Sequence, residues 1–562
     1  MARTTEPGAV DVAAEANSLS RMRLRSLSHL ACVMLGAVPL LAGCIGRDAK
    51  ARGRTVIIGT GEDPQTLFPP LADNTQARAL TELIFEQLAD RGASLNTVGD
   101  ADFVPRLAQR WEWSPDSLSL TLHLDPRARW QDGHAVSAAD VRFGFEVFTD
   151  SLVGSRLRED LLAIVDSISV ADSLTCTAWF RQRSPERFDI LVSRLTPLPA
   201  HLLRGIRRDA IEQSSYARQP VGSGPFRLVS WEPQVQLELA PSPTYAGARP
   251  ALDRVIWSFA SDGSTLTRQF MAGESDFVEG LSVEDAAAVA KTATLRVVGL
   301  GNYVYSFLLF NLRDGASERP HPLFGNRALR RALTMALDRR LLVRSVFDSL
   351  GHVGLGPFVR AQWSADTSIT QIAFDRPGAA RVLDSLGWHL GADGLRTRQG
   401  RPLAFTLIVP TSSKARLSFA VLIQEQLRLA GVKVEIAKLD ANAMGERLET
   451  HLFDAAMGAL STTPSPSGLK QTWMSAAARN GGFNFGRFMN EQFDAEADSA
   501  MRSSTQADAR AHYRAAYQTI VDDAPAIWLF EPPNLAGVNA RLQIGTIRPD
   551  AWWMSLPNWS IR

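Results

Sequence analysis

The stretch Phe419-Ala420-Val421-Leu422-Ile423-Gln424-Glu425-Gln426-Leu427-Arg428-Leu429-Ala430-Gly431-Val432-Lys433-Val434-Glu435-Ile436 carries two periodicities in succession. Phe419, Leu422, Ile423, Leu427 and Ala430 recur at helical spacing, so they share one apolar face. Gly431 stops the helix, because glycine alone takes a left-handed cap at no steric cost. Val432, Val434 and Ile436 then alternate with Lys433 and Glu435, the period of a half-buried strand. A helix, a glycine stop and a strand in that order make the unit of an α/β layer.

The same mixed pattern extends in both directions. Toward the N-terminus, Thr55-Val56-Ile57-Ile58-Gly59 reads as a buried strand broken by Gly61-Glu62-Asp63-Pro64. Leu80, Leu83, Ile84 and Leu88 predict an amphipathic helix, and Leu118, Leu120, Leu122 and Leu124 alternate with polar residues as a strand does. Ser137-Ala138-Ala139-Asp140 resembles a capping box that opens a helix to about Phe148. Leu329, Leu333, Leu337 and Leu341, with Ala332 and Ala336, predict one continuous buried helical face. Asp375 with Pro377 begins another helix, which Gly387 ends. Residues 462–468 and 480–486 read as loops.

Length and charge bound the function. A chain of 562 residues is too long for one core, so two or three domains are expected. Its formal net charge of +1 excludes the strong field that gathers nucleic acid. The N-terminus reads as an export leader, residues 1–43, with Met22 as an alternative start. Arg21, Arg23 and Arg25 precede an uncharged apolar run from about Leu30 to Leu41, too short to span a bilayer. The run ends in Leu41-Ala42-Gly43-Cys44, which resembles a lipobox, so Cys44 is the expected lipidation site and 44–53 a lipidated tether. Without the leader the charges balance. Of three cysteines only Cys176 then remains in the fold, as a small buried residue in a strand; one thiol makes neither a disulfide nor a cysteine metal site.

Motifs for chemistry are few. Gly59-Thr60-Gly61 follows a strand as a dinucleotide loop does, but Pro64 stands where the third glycine is needed. The nine histidines are scattered with no i,i+4 pair, and no nucleophile–base pattern is visible. No enzyme activity, cofactor or metal is therefore expected. Trp473, Trp552, Trp553 and Trp559 fall in irregular regions, where an indole lines a cleft or packs a loop.

Several segments, in order, resemble one family. They begin with Pro105-Arg106-Leu107-Ala108, Trp111-Glu112, Trp130-Gln131-Asp132-Gly133 and Ala138-Ala139-Asp140-Val141. Val221-Gly222-Ser223-Gly224-Pro225-Phe226, then Asn311 with Pro322-Leu323-Phe324 and the run from Arg327 to Asp338, continue the series. Phe485-Gly486-Arg487-Phe488 and Ala524-Pro525-Ala526-Ile527 close it. The chain over residues 55–560 resembles the family-5 extracellular solute-binding proteins, which include the dipeptide, oligopeptide and nickel receptors of ABC importers.

The resemblance implies an α/β type II periplasmic-binding-protein (venus-flytrap) fold with an extra inserted domain, three domains in two lobes. Domain I comprises 54–77, 195–300 and 525–562, domain II is the insertion 78–194, and domain III is 301–524. It implies an exported monomer, lipid-anchored to a membrane facing the periplasm or cell exterior. Its partners are a small peptide, oligopeptide-like, or another polar solute, together with an ABC permease and its ATPase. A receptor for an oligosaccharide or metal chelate, and a sensory lipoprotein of the same fold, are the alternatives.

The ligand-contact loops that align with the family hold Glu62, Asp63 and Thr66 in domain I, and Thr411, Ser412, Ser413, Ser461, Thr462 and Thr463 in domain III. Dipeptide receptors hold the substrate amine with an aspartate in the last of these loops. Here Gly458-Ala459-Leu460-Ser461-Thr462-Thr463-Pro464-Ser465-Pro466 has no carboxylate, and only Lys414 and Arg416 stand near Thr411. Burying an unpaired ammonium costs several kcal/mol, so a longer peptide with wet termini, or a neutral polar ligand, fits these loops better than a dipeptide.

Overall fold

The helix that opens the deciding stretch runs over Lys414–Arg428, with the Ser413 side chain accepting from the amide of Arg416 at 3.3 Å as its N-cap. Phe419, Ala420, Ile423 and Leu427 are its buried face. Gly431 takes φ +81°, and a Cβ there would lie 2.8 Å from the side chains of Leu390 and Arg396, so the stop requires glycine on two counts. The strand Lys433–Leu439 then pairs in parallel with Ala404–Pro410. This is a computed structural model, and it describes residues 53–562 apart from 261, 316 and 480. The proposed leader, Cys44 and most of the tether lie outside the described residues.

Three sheets of four or more strands organise the described residues. The first has seven strands, in the order Leu295–Gly299, Leu535–Asn539, Phe277–Glu279, Thr55–Thr60, Arg254–Phe259, Gln236–Pro241 and Phe226–Glu232. The second is an antiparallel sheet of four, Ala108–Trp113, Ser119–Leu124, Thr175–Phe180 and Val165–Val170. One core joins these two sheets: Val56, Ile58 and Trp257 belong to the same buried cluster as Leu120, Leu122 and Cys176. They make one lobe.

The third sheet makes the other lobe, with six strands in the order His352–Val353, Ala526–Glu531, Val304–Phe310, Ala455–Ser461, Ala404–Pro410 and Lys433–Leu439. Its central strands are buried on both faces. Leu308, Phe310, Leu407 and Leu529 enter one cluster, whereas Phe307, Leu309, Ile408 and Trp528 enter the other.

Three local expectations change. The strand Ala526–Glu531 is buried throughout and pairs with Val304–Phe310, so the segment from 525 begins in the third sheet, and the chain returns to the first only at Leu535–Asn539. Residues 526–531 thus belong to the 301–524 domain and not to domain I. The helical face from Leu329 to Leu341 is two helices, Arg327–Met335 and Arg339–Phe347. Asp338 breaks it, because its side chain caps the second helix at the amide of Leu341, and Leu341 itself is exposed. The helix expected to carry Leu80, Leu83, Ile84 and Leu88 stops at Ile84, so Leu88 is buried outside it, whereas the N-termini are capped by polar side chains. Asn74 caps Thr75–Ile84, Ser137 and Asp140 form a capping box on Ala138–Thr149, and Asp375 caps Arg376–Ser385.

Among the described residues the chain crosses between lobes twice, after Gly299 and after Glu531. The crossings are bonded together, the Leu300 amide donating to the Asn534 carbonyl at 2.9 Å.

Candidate functional site

The helix Thr75–Ile84 buries Ala77, Leu80, Leu83 and Ile84 in the first lobe and turns Arg78 and Glu82 the other way. These two side chains, one turn apart, form part of a wall facing the second lobe. Asp90 and Arg91, Ser193 and Arg194, and the C-terminal Arg548, Asp550 and Trp553 extend that wall. Tyr303, Thr462, Thr463 and Pro464 of the second lobe stand opposite. Between them lies a cleft of about 340 Å³.

Most charges on the first-lobe wall are paired. Arg91 holds Asp189 with two bonds, at 2.5 and 2.8 Å, and lies 3.6 Å from Asp550. Arg548 donates to Asp550 at 2.8 and 3.0 Å and to Asp90 at 2.6 Å, and Arg106 reaches Asp90 at 3.3 Å. Burial opposes the charge on Arg548, but its bonds to Asp550 and Asp90 outweigh that and raise its pKa. The network is a neutral, rigid frame.

Glu82 is different. Its Oε2 accepts from the indole Nε1 of Trp553 at 2.7 Å, and among the described residues no cation stands within ion-pair distance. Burial pushes its carboxyl above the ordinary range, against the opposing pull of Arg78 and the Trp553 bond. The Arg78 guanidinium sits over the Trp553 ring, 5.6 Å from its centroid. The wall therefore offers one carboxylate short of positive partners, beside an indole and an exposed cation. That arrangement suits a ligand ammonium.

The residues read from the sequence divide into three groups. Thr462 and Thr463 border the cleft, and Ser461 joins them around an adjoining pocket of about 100 Å³. Their donors are already used: Thr462 Oγ1 donates to the Tyr303 carbonyl at 3.1 Å, and Thr463 Oγ1 to that of Ser465 at 3.1 Å. These two hydroxyls are left to the cleft mainly as acceptors. Thr411, Ser412 and Ser413 follow the strand Ala404–Pro410, which is parallel to Ala455–Ser461 and adjacent to it, so they sit on the same sheet edge as Ser461. They do not border the cleft.

Glu62, Asp63 and Thr66 do not border it either. The Asp63 carboxylate accepts from Trp231 Nε1 at 2.9 Å and from the Gln234 amide at 2.6 Å, fixing a hairpin of the first sheet. Thr66 is buried and accepts from the Phe68 amide at 3.1 Å, as a turn hydroxyl does. Glu62 is exposed.

Sequence reasoning missed the charged wall. It found neutral loops on the second lobe, and those are neutral, but Glu82 and the arginine–aspartate frame face them. Of the four tryptophans in irregular regions, Trp553 borders the cleft. Trp473, Trp552 and Trp559 are packing residues whose indoles donate to Tyr305, Glu279 and Ser555.

Comparison with known proteins gives consistent matches. The family model for bacterial extracellular solute-binding proteins, family 5, matches residues 102–482. The oligopeptide-binding protein AppA of Bacillus subtilis is 23% identical over 563 residues, covering 95% of this chain and 100% of AppA. The structure of AppA with a nonapeptide superposes with a TM-score of 0.68 at 22% identity, covering 91% of this chain and 99% of that one. NikZ of Campylobacter jejuni, in complex with Ni(L-His), superposes with a TM-score of 0.69 at 20% identity, covering 90% and 99%.

Proposed function

The chain belongs to the bacterial extracellular solute-binding proteins of family 5, and from that premise we propose that it is an extracytoplasmic receptor that captures peptides for an ABC importer. The observation that carries the ligand class is Glu82, a partly buried carboxylate with no cation in ion-pair contact among the described residues. A peptide amino terminus or basic side chain supplies that partner. The remaining peptide lies along Thr462 and Thr463, its backbone amides donating to hydroxyls whose own protons are engaged.

In this reading the two crossings after Gly299 and Glu531 act as the hinge. A ligand that touches both walls stabilises the closed arrangement, and the permease reads that arrangement. The protein performs no chemistry on its cargo. Residues 1–43 direct export, and lipid on Cys44 holds the receptor at the membrane surface. AppA is an oligopeptide-binding protein, and its likeness along the whole chain supports the peptide class.

Titration calorimetry with dipeptide and oligopeptide panels tests this. Oligopeptides with a free amino terminus bind in the micromolar range or better, dipeptides bind more weakly, and every peptide is recovered intact. Failure of all peptides to bind, or their hydrolysis, overturns the proposal.

A further inference from the structure

We propose that Asp132, His134 and His201 form a binding site for a divalent late transition-metal ion, of the zinc, nickel or copper class, apart from the cleft. The three ligand atoms lie within 4.8 Å of one another, and none of the three residues borders the cleft.

The chain builds this cluster from two distant segments. Arg129 and Ala135 form an antiparallel bridge, so residues 130–134 make a tight turn, and Gly133 at φ +94° lets the chain reverse. The reversal returns His134 onto the residue two before it. The His134 amide donates to Asp132 Oδ1 at 3.1 Å, and His134 Nδ1 lies 3.2 Å from the same oxygen. His201 arrives on the helix Ala200–Leu203, with its Nε2 2.7 Å from Asp132 Oδ2. The imidazole rings lie against each other, centroids 4.2 Å apart and planes 31° from parallel.

Both segments are anchored to one buried carboxylate. Asp140 accepts from Trp130 Nε1 at 3.3 Å and from the Ala200 amide at 2.9 Å, so the hairpin and the helix hold a common register. The ligands are pre-positioned, which lowers the cost of gathering them. Each imidazole meets one oxygen of the same carboxylate, and one dication would serve all three groups at once. Two nitrogens and one carboxylate oxygen suit borderline-soft ions, and the exposed position leaves room for water as a further ligand. Metal–ligand distances of about 2.0–2.2 Å need only small side-chain rotations from this geometry. The ion would staple the inserted segment to the segment that follows it.

The test is zinc titration of the untagged, chelator-treated chain by calorimetry, with cobalt absorption as a readout of coordination. Zinc binds at one equivalent and raises the thermal midpoint, and cobalt gives visible bands. His134→Ala removes an exposed ring and leaves the Asp132–His201 bond, so the fold and peptide binding are retained while zinc affinity falls about tenfold or more. His201→Gln lowers it likewise. The proposal is overturned if the wild-type chain takes up no zinc, or if the His134→Ala/His201→Gln double variant binds it with unchanged stoichiometry and affinity.

Discussion

The indole Nε1 of Trp363 donates to the hydroxyl of Thr97 at 3.1 Å, and this bond joins the two lobes. Thr97 is fully buried, and its own proton goes to Glu186 at 2.6 Å. The neighbouring Val98 enters the second lobe's core with Tyr305 and Trp363. This arm of the first lobe is a latch, and Glu186 is its titratable part.

Burial raises the pKa of Glu186, with the Ser465 and Thr97 hydroxyls pulling the other way and Asp189 adding to the rise. A raised carboxyl favours the folded state when protonated. Below the ordinary value of 4.5 that contribution is fully present, and it is lost as pH rises through the raised value. Stability therefore falls with rising pH across that window. Glu186→Gln flattens this profile and leaves a more stable protein at neutral pH. Urea unfolding measured against pH checks it; an identical profile in the variant would show that Glu186 is not the group responsible.

Glu82→Gln is expected to weaken peptide binding by about 1.5–3 kcal/mol, the range for hydrogen bonds to charged groups. The same change stabilises the unliganded protein, because it removes a buried charge short of partners. Binding by the wild-type chain also fades as pH falls through the raised Glu82 value, since protonation removes the charge the ligand reads. Calorimetry and thermal unfolding of one variant report both effects. A loss of stability together with unchanged affinity would place the ligand amine elsewhere.

Arg548→Met leaves Asp550 with only the longer contact to Arg91, and Asp90 with only that to Arg106, in a buried network. It should cost about 3–5 kcal/mol in urea unfolding, as removing one partner of a buried pair does. Adding Asp550→Leu to it should recover part of that loss, because one weakly paired buried charge goes with it. Additive losses in the double variant would mean that the two residues do not act as a pair.

Cys44→Ser should release the protein from membranes into the soluble fraction, since a lipid on that thiol is the proposed anchor. Fractionation of expressing cells decides it. A variant that stays membrane-bound after the same cleavage would dismiss the lipobox reading.

Local signals were legible wherever a few neighbouring residues decide the outcome. The Phe419–Ile436 unit, the Ser137–Asp140 capping box and the Asp375 cap each depend on contacts within a turn or two, and periodicity reports those directly. The series of family motifs along the chain carried the fold as well. The run from Leu329 to Leu341 misled because its spacing continues through Asp338, whereas the backbone obeys the cap.

What the sequence alone determined is the class of protein: an α/β chain of several domains, family 5, with neutral loops on one side of its cleft. The tertiary structure alone decided the other side. Arg548 meets Asp90 across 458 positions, and Trp553 meets Glu82 across 471, so no window along the chain relates them. The same holds for Asp63, which resembles a ligand contact in its motif but is spent on Trp231 and Gln234. Whether a polar side chain is free for a ligand depends on which distant groups the fold brings to it, and that pairing exists only once the sheets are packed.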